Sequence, residues 1–468
     1  MRLNRYEMTL ESWASATGGL SAVMAAASRS ARQAVPASSP REEALRDVAA
    51  GVAAPVLTGF VLWVLQQAQA ASLKRLYFVS RDGQILLEIA SRLRQGLGIS
   101  SDLRYLHASR QAWWVPAASG AVSEQLEPFV TDTGRVSIRS ILARLSLEPE
   151  EIADGLEELG FRESEWSLDL APSARQEMRA IIRQGVLRRT IERSTAPKRE
   201  VLLRYLKQEG LLEQADWALV DLGWRGTLQK ALGILLANAG TDPPRGLYFG
   251  IITSPFMGVA TPSLEATCGP MDAYLFDERS GHGAATIGAE AAHMVETFCT
   301  GMDGPVIGYD AHGERITPVL DTPINRPAVE AGLPLVRQTI CRFSDELASH
   351  PGLAGAHADV RPASAAILEA FWRAPPASAA AAWATFPFEL NLARAESTQL
   401  AKRFSWSDVV EAFRTGVLSG RREWRPWVAG SLVITPPPVK LALQAAAPAG
   451  RAVRRALRPL KLGLGRRT

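Results

Sequence analysis

The residues able to do chemistry gather in three short stretches of this chain. Residues 76–84, LYFVSRDGQ, end an apolar run in Ser80, Arg81, Asp82 and Gly83. Residues 104–110, RYLHASR, again end in Ser109 and Arg110. Residues 217–227, WALVDLGWRGT, place Asp221 after an apolar run and follow it with Gly223, Trp224, Arg225, Gly226 and Thr227. Arginine beside a turn that opens a helix suits a phosphate, because guanidinium forks pair with its oxygens and the first helical N–H groups have no partner within the helix. Carboxylates at the same place can orient a hydroxyl or move a proton. Asp82 and Asp221 are therefore the candidate catalytic groups. Ser80, Arg81, Gly83, Ser109, Arg110 and the turn from Gly223 to Thr227 are the candidate ligand-binding residues, with no metal ligands assigned.

Each stretch needs a strand to aim it and a helix to follow it. Apolar runs predict strands at 75–79, 104–108, 217–222 and 246–253, with helices at 84–95 and 228–237. Two βαβ-like units favour an α/β fold with a mainly parallel sheet, phosphoribosyltransferase-like or Rossmann-like. Ligands of such sheets bind at the carboxyl ends of the strands. If the three site strands are neighbours, Arg81, Arg110 and Arg225 converge with Asp82 and Asp221 on one edge.

Blander readings compete with each residue. Asp82 fits a helix N-cap, and Arg81 and Arg110 fit carboxylate pairs at the sheet edge. Trp224 suits stacking on a base or sugar, or packing on a neighbouring helix. His107 reads as a satisfied core residue and His282 as a solvent-exposed one. Glu290, His293 and Glu296 lie at i, i+3, i+6, a spacing that could ligate a metal but lacks HExxH and reads as polar packing. Mg²⁺ at Asp221 is the one cofactor this reading admits.

The whole chain of 468 residues sets the context. With 47% hydrophobic and 21% charged residues, the composition is that of an ordinary globular protein. Three cysteines are too few and too scattered for a disulfide framework, and the N-terminus shows no signal-peptide pattern, so a cytoplasmic protein is expected. The apolar run 51–65 is short for a bilayer span and contains Pro55, which predicts a buried helix. Residues 440–468 carry eight Lys/Arg and no acid, so a basic tail follows a body of net charge −4, the chain total being +4. Its Val453, Leu457, Leu460 and Leu464 recur at helical spacing, which makes an anionic membrane surface a candidate partner at the inner face, against the alternative of a solvated tail. Nucleic acid is disfavoured, since the body is acidic and lacks a basic-aromatic platform. The expected layout is an N-terminal helix and linker (1–45), an α/β core (46–120 with 214–310), a helical insertion (121–213), a mostly helical C-terminal region (311–435) and the tail (436–468).

LYFVSRDGQIL, YLHASRQAWWVPA, ALVDLGWRGTLQ, GLYFGI and VETFCTGMDGPVIGY resemble the carboxyl-terminal part of large bacterial proteins labelled predicted HAD-superfamily hydrolases, from capsule and lipopolysaccharide loci. The resemblance spans roughly 48–309 discontinuously and implies a role in surface-polysaccharide assembly. HAD phosphatase chemistry does not come with it, because the DxDxT nucleophile strand is missing. The order of an Arg-Asp-Gly turn, a Ser-Arg strand end, an insertion and an Asp-ended strand leading through Gly and Thr into a helix is also similar to type I phosphoribosyltransferases. That similarity implies pyrophosphate on Arg81, Asp82 and Gly83, ribose on Asp221 and phosphate on 223–227, with Leu222 standing where the family has a second acid. The expected function is an enzyme that binds a phosphorylated sugar or sugar nucleotide and performs transfer or cleavage at a phosphate-bearing carbon. A non-catalytic scaffold of polysaccharide assembly is the alternative.

Overall fold

The computed structural model describes residues 3–117, 137–144, 148–158, 160–171, 185–213, 216–243, 245–253, 268–280, 291–353, 358–389, 397–415 and 426–448. Its centre is a five-stranded, all-parallel sheet in the order β2-β1-β3-β4-β5, formed by β1 (Arg75–Val79), β2 (Asp102–Leu106), β3 (Trp217–Trp224), β4 (Arg245–Ile251) and β5 (Met271–Asp277). The protein is thus mixed α/β. Side-chain alternation shows that both faces of the sheet are covered. Leu76, Phe78, Ala218, Val220, Leu222, Leu247 and Phe249 enter one core, while Tyr77, Val79, Trp217 and Leu219 enter another. Strands buried on both faces read as near-continuous apolar runs, which is why they were conspicuous in the sequence.

The first core is made by α1 (Arg5–Ser12), α2 (Leu20–Ala34), α3 (Pro40–Ala70) and α4 (Asp82–Leu93), together with the C-terminal helices. The Ala/Ser-rich start of the chain is therefore two packed helices and more than a helix and linker, since Tyr6, Leu10, Met24 and Ala31 are buried in this core. Small alanines let these helices approach closely. Helix α3 is long and apolar enough to cross a bilayer by length and composition, yet 94% of its most apolar window is buried in protein. Phe60 on α3 meets Phe249 at 5.5 Å and Tyr274 at 5.7 Å over the sheet. Within α3 a π-turn at Ala49–Ala53 gives way to an α-helical segment at Ala54–Ala70 that carries Pro55 in its first turn, where the sequence places the start of the buried helix.

The opposite face is covered by α5 (Arg110–Ala117), the insertion helices α6 (Ile138–Arg144), α7 (Ala153–Glu158) and α8 (Gly185–Gln208), and α9 (Thr227–Asn238). The helical character expected of the insertion holds for its described residues. After β5 come α10 (Ala292–Phe298) and an antiparallel hairpin, β6 (Val306–His312) with β7 (Arg315–Leu320), turning at Gly313 with φ +64°. This hairpin went unforeseen. Beyond it lie α11 (Arg326–Glu330), α12 (Leu333–Ala348), α13 (Arg361–Arg373), α14 (Ala377–Ala384), the short pair β8 (Pro387–Glu389) and β9 (Ser397–Gln399), α15 (Trp406–Thr415), α16 (Val428–Ile434) and a last helix at 437–448. Tail residues 449–468 lie outside the described residues, as do His282 and Glu290.

Some boundaries moved for identifiable reasons. Strand β2 stops at Leu106, two residues early, because side chains take the next backbone donors: His107 N–H donates to Tyr205 Oη at 3.1 Å and Ala108 N–H to Ser80 Oγ at 3.0 Å. Strand β3 runs past Asp221 to Trp224, because Gly223 and Trp224 keep pairing with Gly250 and Ile251 after β1 has ended.

Candidate functional site

The strands β2, β1 and β3 are neighbours, so the three chemistry-bearing stretches end side by side. β1 runs into α4 and on to β2 on one side, whereas the chain crosses back to β3 on the other. A crevice at such a reversal of strand order is where doubly wound sheets place ligands.

The two serines hold this edge together. Ser80 Oγ donates to the Ala108 carbonyl at 2.6 Å and accepts the Ala108 N–H at 3.0 Å, clipping the end of β1 to that of β2. Ser109 Oγ donates to the Val306 carbonyl at 2.6 Å and accepts the Ala112 N–H at 2.9 Å, capping α5 and anchoring the β6–β7 hairpin. Both hydroxyls are thus spent on the framework.

Arg81 sits at φ +68°, ψ −81°, a conformation L-residues avoid, held by a 2.9 Å hydrogen bond from its N–H to Tyr105 Oη. Of three non-glycine residues with positive φ among the described residues, Arg81 and Trp224 both lie here. Strain of this kind costs about 1–3 kcal/mol and clusters where function requires it. Gly83 is required by close approach: a Cβ there would stand 2.7 Å from the carbonyl carbon of Phe78. Asp82 is the first residue of α4 and Arg81 takes the cap position, so the N-cap reading of Asp82 fails.

The charged groups meet electrostatically. Burial pushes the Asp82 carboxyl well above the usual carboxylate range; Arg81 and Arg110 oppose this, and Asp221 and Glu296 reinforce it. Burial likewise pushes Asp221 up to about 6, against the pull of the Leu222 and Gly223 N–H groups and of Arg110. Arg110 feels Glu296, Arg81, Asp221 and Asp82, and burial lowers its pKa. Asp82, Asp221 and Glu296 are half-buried, and Arg110 still exposes its side chain to solvent. The groups therefore line a recess that is surrounded by protein and open to water.

Glu296 is the participant that sequence reasoning set aside as polar packing. Trp224 Nε1 donates to its Oε1 at 2.7 Å, and His293 Nδ1 lies 3.2 Å from its Oε2. Trp224 itself stacks on Phe276 at 5.7 Å with an interplanar angle of 5°, so it is a support for Glu296 and a packing residue. An indole placed in a strand-end turn needs an acceptor, and that was the one available signal.

Arg225 departs from the expected convergence. Its electrostatic partner is Glu278, just after β5, on the β4–β5 side of the edge. Gly226, at φ +61°, caps α9, whose first residue is Thr227, so this turn presents a helix N-terminus beside β3. Segment 300–303 closes over the recess: a Cβ on Gly301 would lie 3.0 Å from Arg81 Cα, and Met302 N–H donates to Gln84 Oε1 at 3.0 Å. Beneath it, burial and the Asp82 charge push the Cys299 thiol well up, which disqualifies it as a thiolate nucleophile. His107 is not satisfied as expected, for its Nδ1 is buried with no protein partner, and burial lowers its pKa. Asp303, whose charge acts on His107, has a similarly orphaned Oδ1.

Among the described residues no three His, Cys, Asp or Glu side chains form a metal-ligating group. A groove of about 470 Å³ lies elsewhere, lined by Glu88, Arg92, Arg337 and Cys341. Its charges are mutually paired: Arg337 binds Glu88, and Arg92 reaches Asp345 at 3.1 Å. No protein-family model matches this chain, and no curated protein matches it.

Proposed function

We propose that the recess between β1 and β3 binds a phosphorylated sugar or sugar nucleotide and catalyses transfer or cleavage at its phosphate-bearing carbon. The observation that carries this reading is the convergence of Arg81 and Arg110 with Asp82 and Asp221 at the carboxyl edge of three adjacent parallel strands, where α4, α5 and α9 all begin. Arg110 and the helix N-termini hold the phosphate and stabilise the charge that grows as its bond to carbon breaks. Asp82, whose burial makes it hold its proton more tightly than an ordinary carboxyl, donates that proton to the departing phosphate oxygen. Asp221, ionised above about pH 6, accepts the proton of the incoming water or sugar hydroxyl, and release of that proton to solvent with reprotonation of Asp82 resets the pair for the next turnover. Burial raises both carboxyl pKa values, and Glu296, held by Trp224 and His293, adds to it.

The strand order supports a doubly wound sheet. The phosphoribosyltransferase-like assignment rests on the matching order of motifs, and the setting in bacterial surface-polysaccharide assembly rests on the resemblance of the Ser-Arg-Asp-Gly and Asp-Leu-Gly-Trp-Arg-Gly stretches. Thermal stability measured against phosphoribosyl pyrophosphate, sugar nucleotides and sugar phosphates tests the reading: a bound compound raises the melting temperature, and the rise disappears in Arg110→Ala. A flat panel, with and without Mg²⁺, favours the second reading of a non-catalytic scaffold. That alternative is supported by the exposed apolar face of α15, which no chemistry in the recess needs.

A further inference from the structure

Among the described residues, eight large hydrophobic side chains are conspicuously exposed, and three of them fall on the ten residues of α15: Trp406 at 60%, Val410 at 66% and Phe413 at 49%. The spacing i, i+4, i+7 puts all three on one helix face. The opposite face is anchored, since Ala412 packs in a small core with Phe404, Val439, Leu443, Ala446 and Ala447. This core ties α15 to the helix at 437–448, whose Leu441 is 66% exposed.

The acids of α15 are turned inward or neutralised. Asp408 accepts the Ser405 N–H at 2.8 Å and its hydroxyl at 2.7 Å in the helix cap, and Glu411 pairs with Arg414 at 3.2 Å. Arg403 and Arg414, both exposed, lie three positions before Trp406 and one after Phe413 in the sequence. The charge of the chain is strongly divided at this point. Residues 400–468 hold fourteen Lys/Arg against three Asp/Glu, a net of +11, which leaves −7 on residues 1–399 out of the total of +4.

We propose that the outer face of α15 docks on an anionic bilayer surface, with Trp406, Val410 and Phe413 entering the headgroup region while the basic residues of 400–468 pair with lipid phosphates. Charge complementarity selects this occupant, because a segment of net charge +11 that carries an apolar stripe matches an anionic leaflet. The two signals also need each other: neither a few apolar side chains nor a polybasic segment alone gives stable attachment, and the pair does. In sequence, the basic residues 451–467 follow the helix packed against α15.

The test is co-sedimentation of the full chain with vesicles of phosphatidylglycerol and phosphatidylethanolamine, beside vesicles of phosphatidylcholine alone. Wild type is expected in the pellet with the anionic vesicles only, and to leave it as salt is raised. The W406S/F413S variant is expected to lose about tenfold or more in partition coefficient at an unchanged melting temperature. Should that variant be unstable, Val410→Gln serves, with a smaller loss expected. Changing Arg451, Arg454, Arg455 and Arg458 to glutamine is expected to weaken binding and flatten its salt dependence. Equal binding by wild type and W406S/F413S overturns the proposal, as does absence of binding to anionic vesicles. A lipid-free sedimentation coefficient that falls in W406S/F413S also overturns it, by showing that the stripe joins two copies of the chain. None of these outcomes depends on the recess being catalytic.

Discussion

Replacing Asp221 with asparagine should separate function from stability in opposite directions. Burial pushes this carboxyl up to about 6 in the folded protein, from an ordinary value of 3.8. The folded state therefore binds more protons than the unfolded chain between those two values, and stability falls as pH rises through that window. Near pH 7.5 both states are ionised, and holding the charge in the recess costs about 3 kcal/mol by 1.36 kcal/mol per pKa unit, decreasing to about half of that near pH 5. Water reaches this half-buried group, so about 1–2 kcal/mol is the realistic gain from removing the charge near neutral pH. Asparagine keeps an acceptor for the Leu222 and Gly223 N–H groups and removes only the charge. Asp221→Asn should thus be more stable than wild type near pH 7.5, with the gap narrowing toward pH 5, while turnover is abolished and phosphate-ligand stabilisation persists. Denaturant titrations at the two pH values read the effect directly. A variant less stable than wild type near pH 7.5 would show that Arg110 already holds Asp221 as a favourable ion pair, and the reasoning that makes it a poised base would be refuted.

Arg110→Ala should weaken a phosphate-bearing ligand by roughly 10- to 100-fold, the loss of about 1.5–3 kcal/mol for a charged hydrogen bond, as read by calorimetry. Glu296→Gln removes a charge that raises the pKa of Asp221, so the acid limb of the pH–rate profile should move below about 6; a limb that stays in place would remove Glu296 from the site. Gly83→Ala places a methyl 2.7 Å from the Phe78 carbonyl carbon and should destabilise the fold by about 1–3 kcal/mol, visible as a lowered denaturation midpoint. Cys299→Ala should leave turnover within a few-fold of wild type, since the buried thiol stays protonated.

The sheet was legible because its strands are buried on both faces and read as unbroken apolar runs. β1 was placed to the residue, and Asp82, Arg110 and Asp221 were drawn to one edge by recognising that strand ends face ligands. Arg225 was misplaced because a turn with positive φ at Gly223, Trp224 and Gly226 redirects a side chain in a way that residue order does not reveal. Glu296 was hidden because its membership depends on α10 docking across β3, a contact some seventy positions from Trp224. The β6–β7 hairpin was overlooked because Gly313 is its sole strong turn residue. Ser80 and Ser109 looked like ligand contacts because a hydroxyl at a strand end is equally suited to either task, and only their backbone partners decide it.

The strand order also dictates when the recess can exist. Residues 107–216, 110 in all, separate β2 from β3, so a ribosome adding roughly 5–20 residues per second delivers β3 some 5–20 s after β2. Throughout that interval β1 and β2 can pair, but the inner edge of β1 stands without its neighbour, an unpaired hydrogen-bonding ladder exposed to other nascent chains. Mutations that weaken β3 should therefore reduce the yield of soluble protein during synthesis more than they lower the stability of molecules that have already folded.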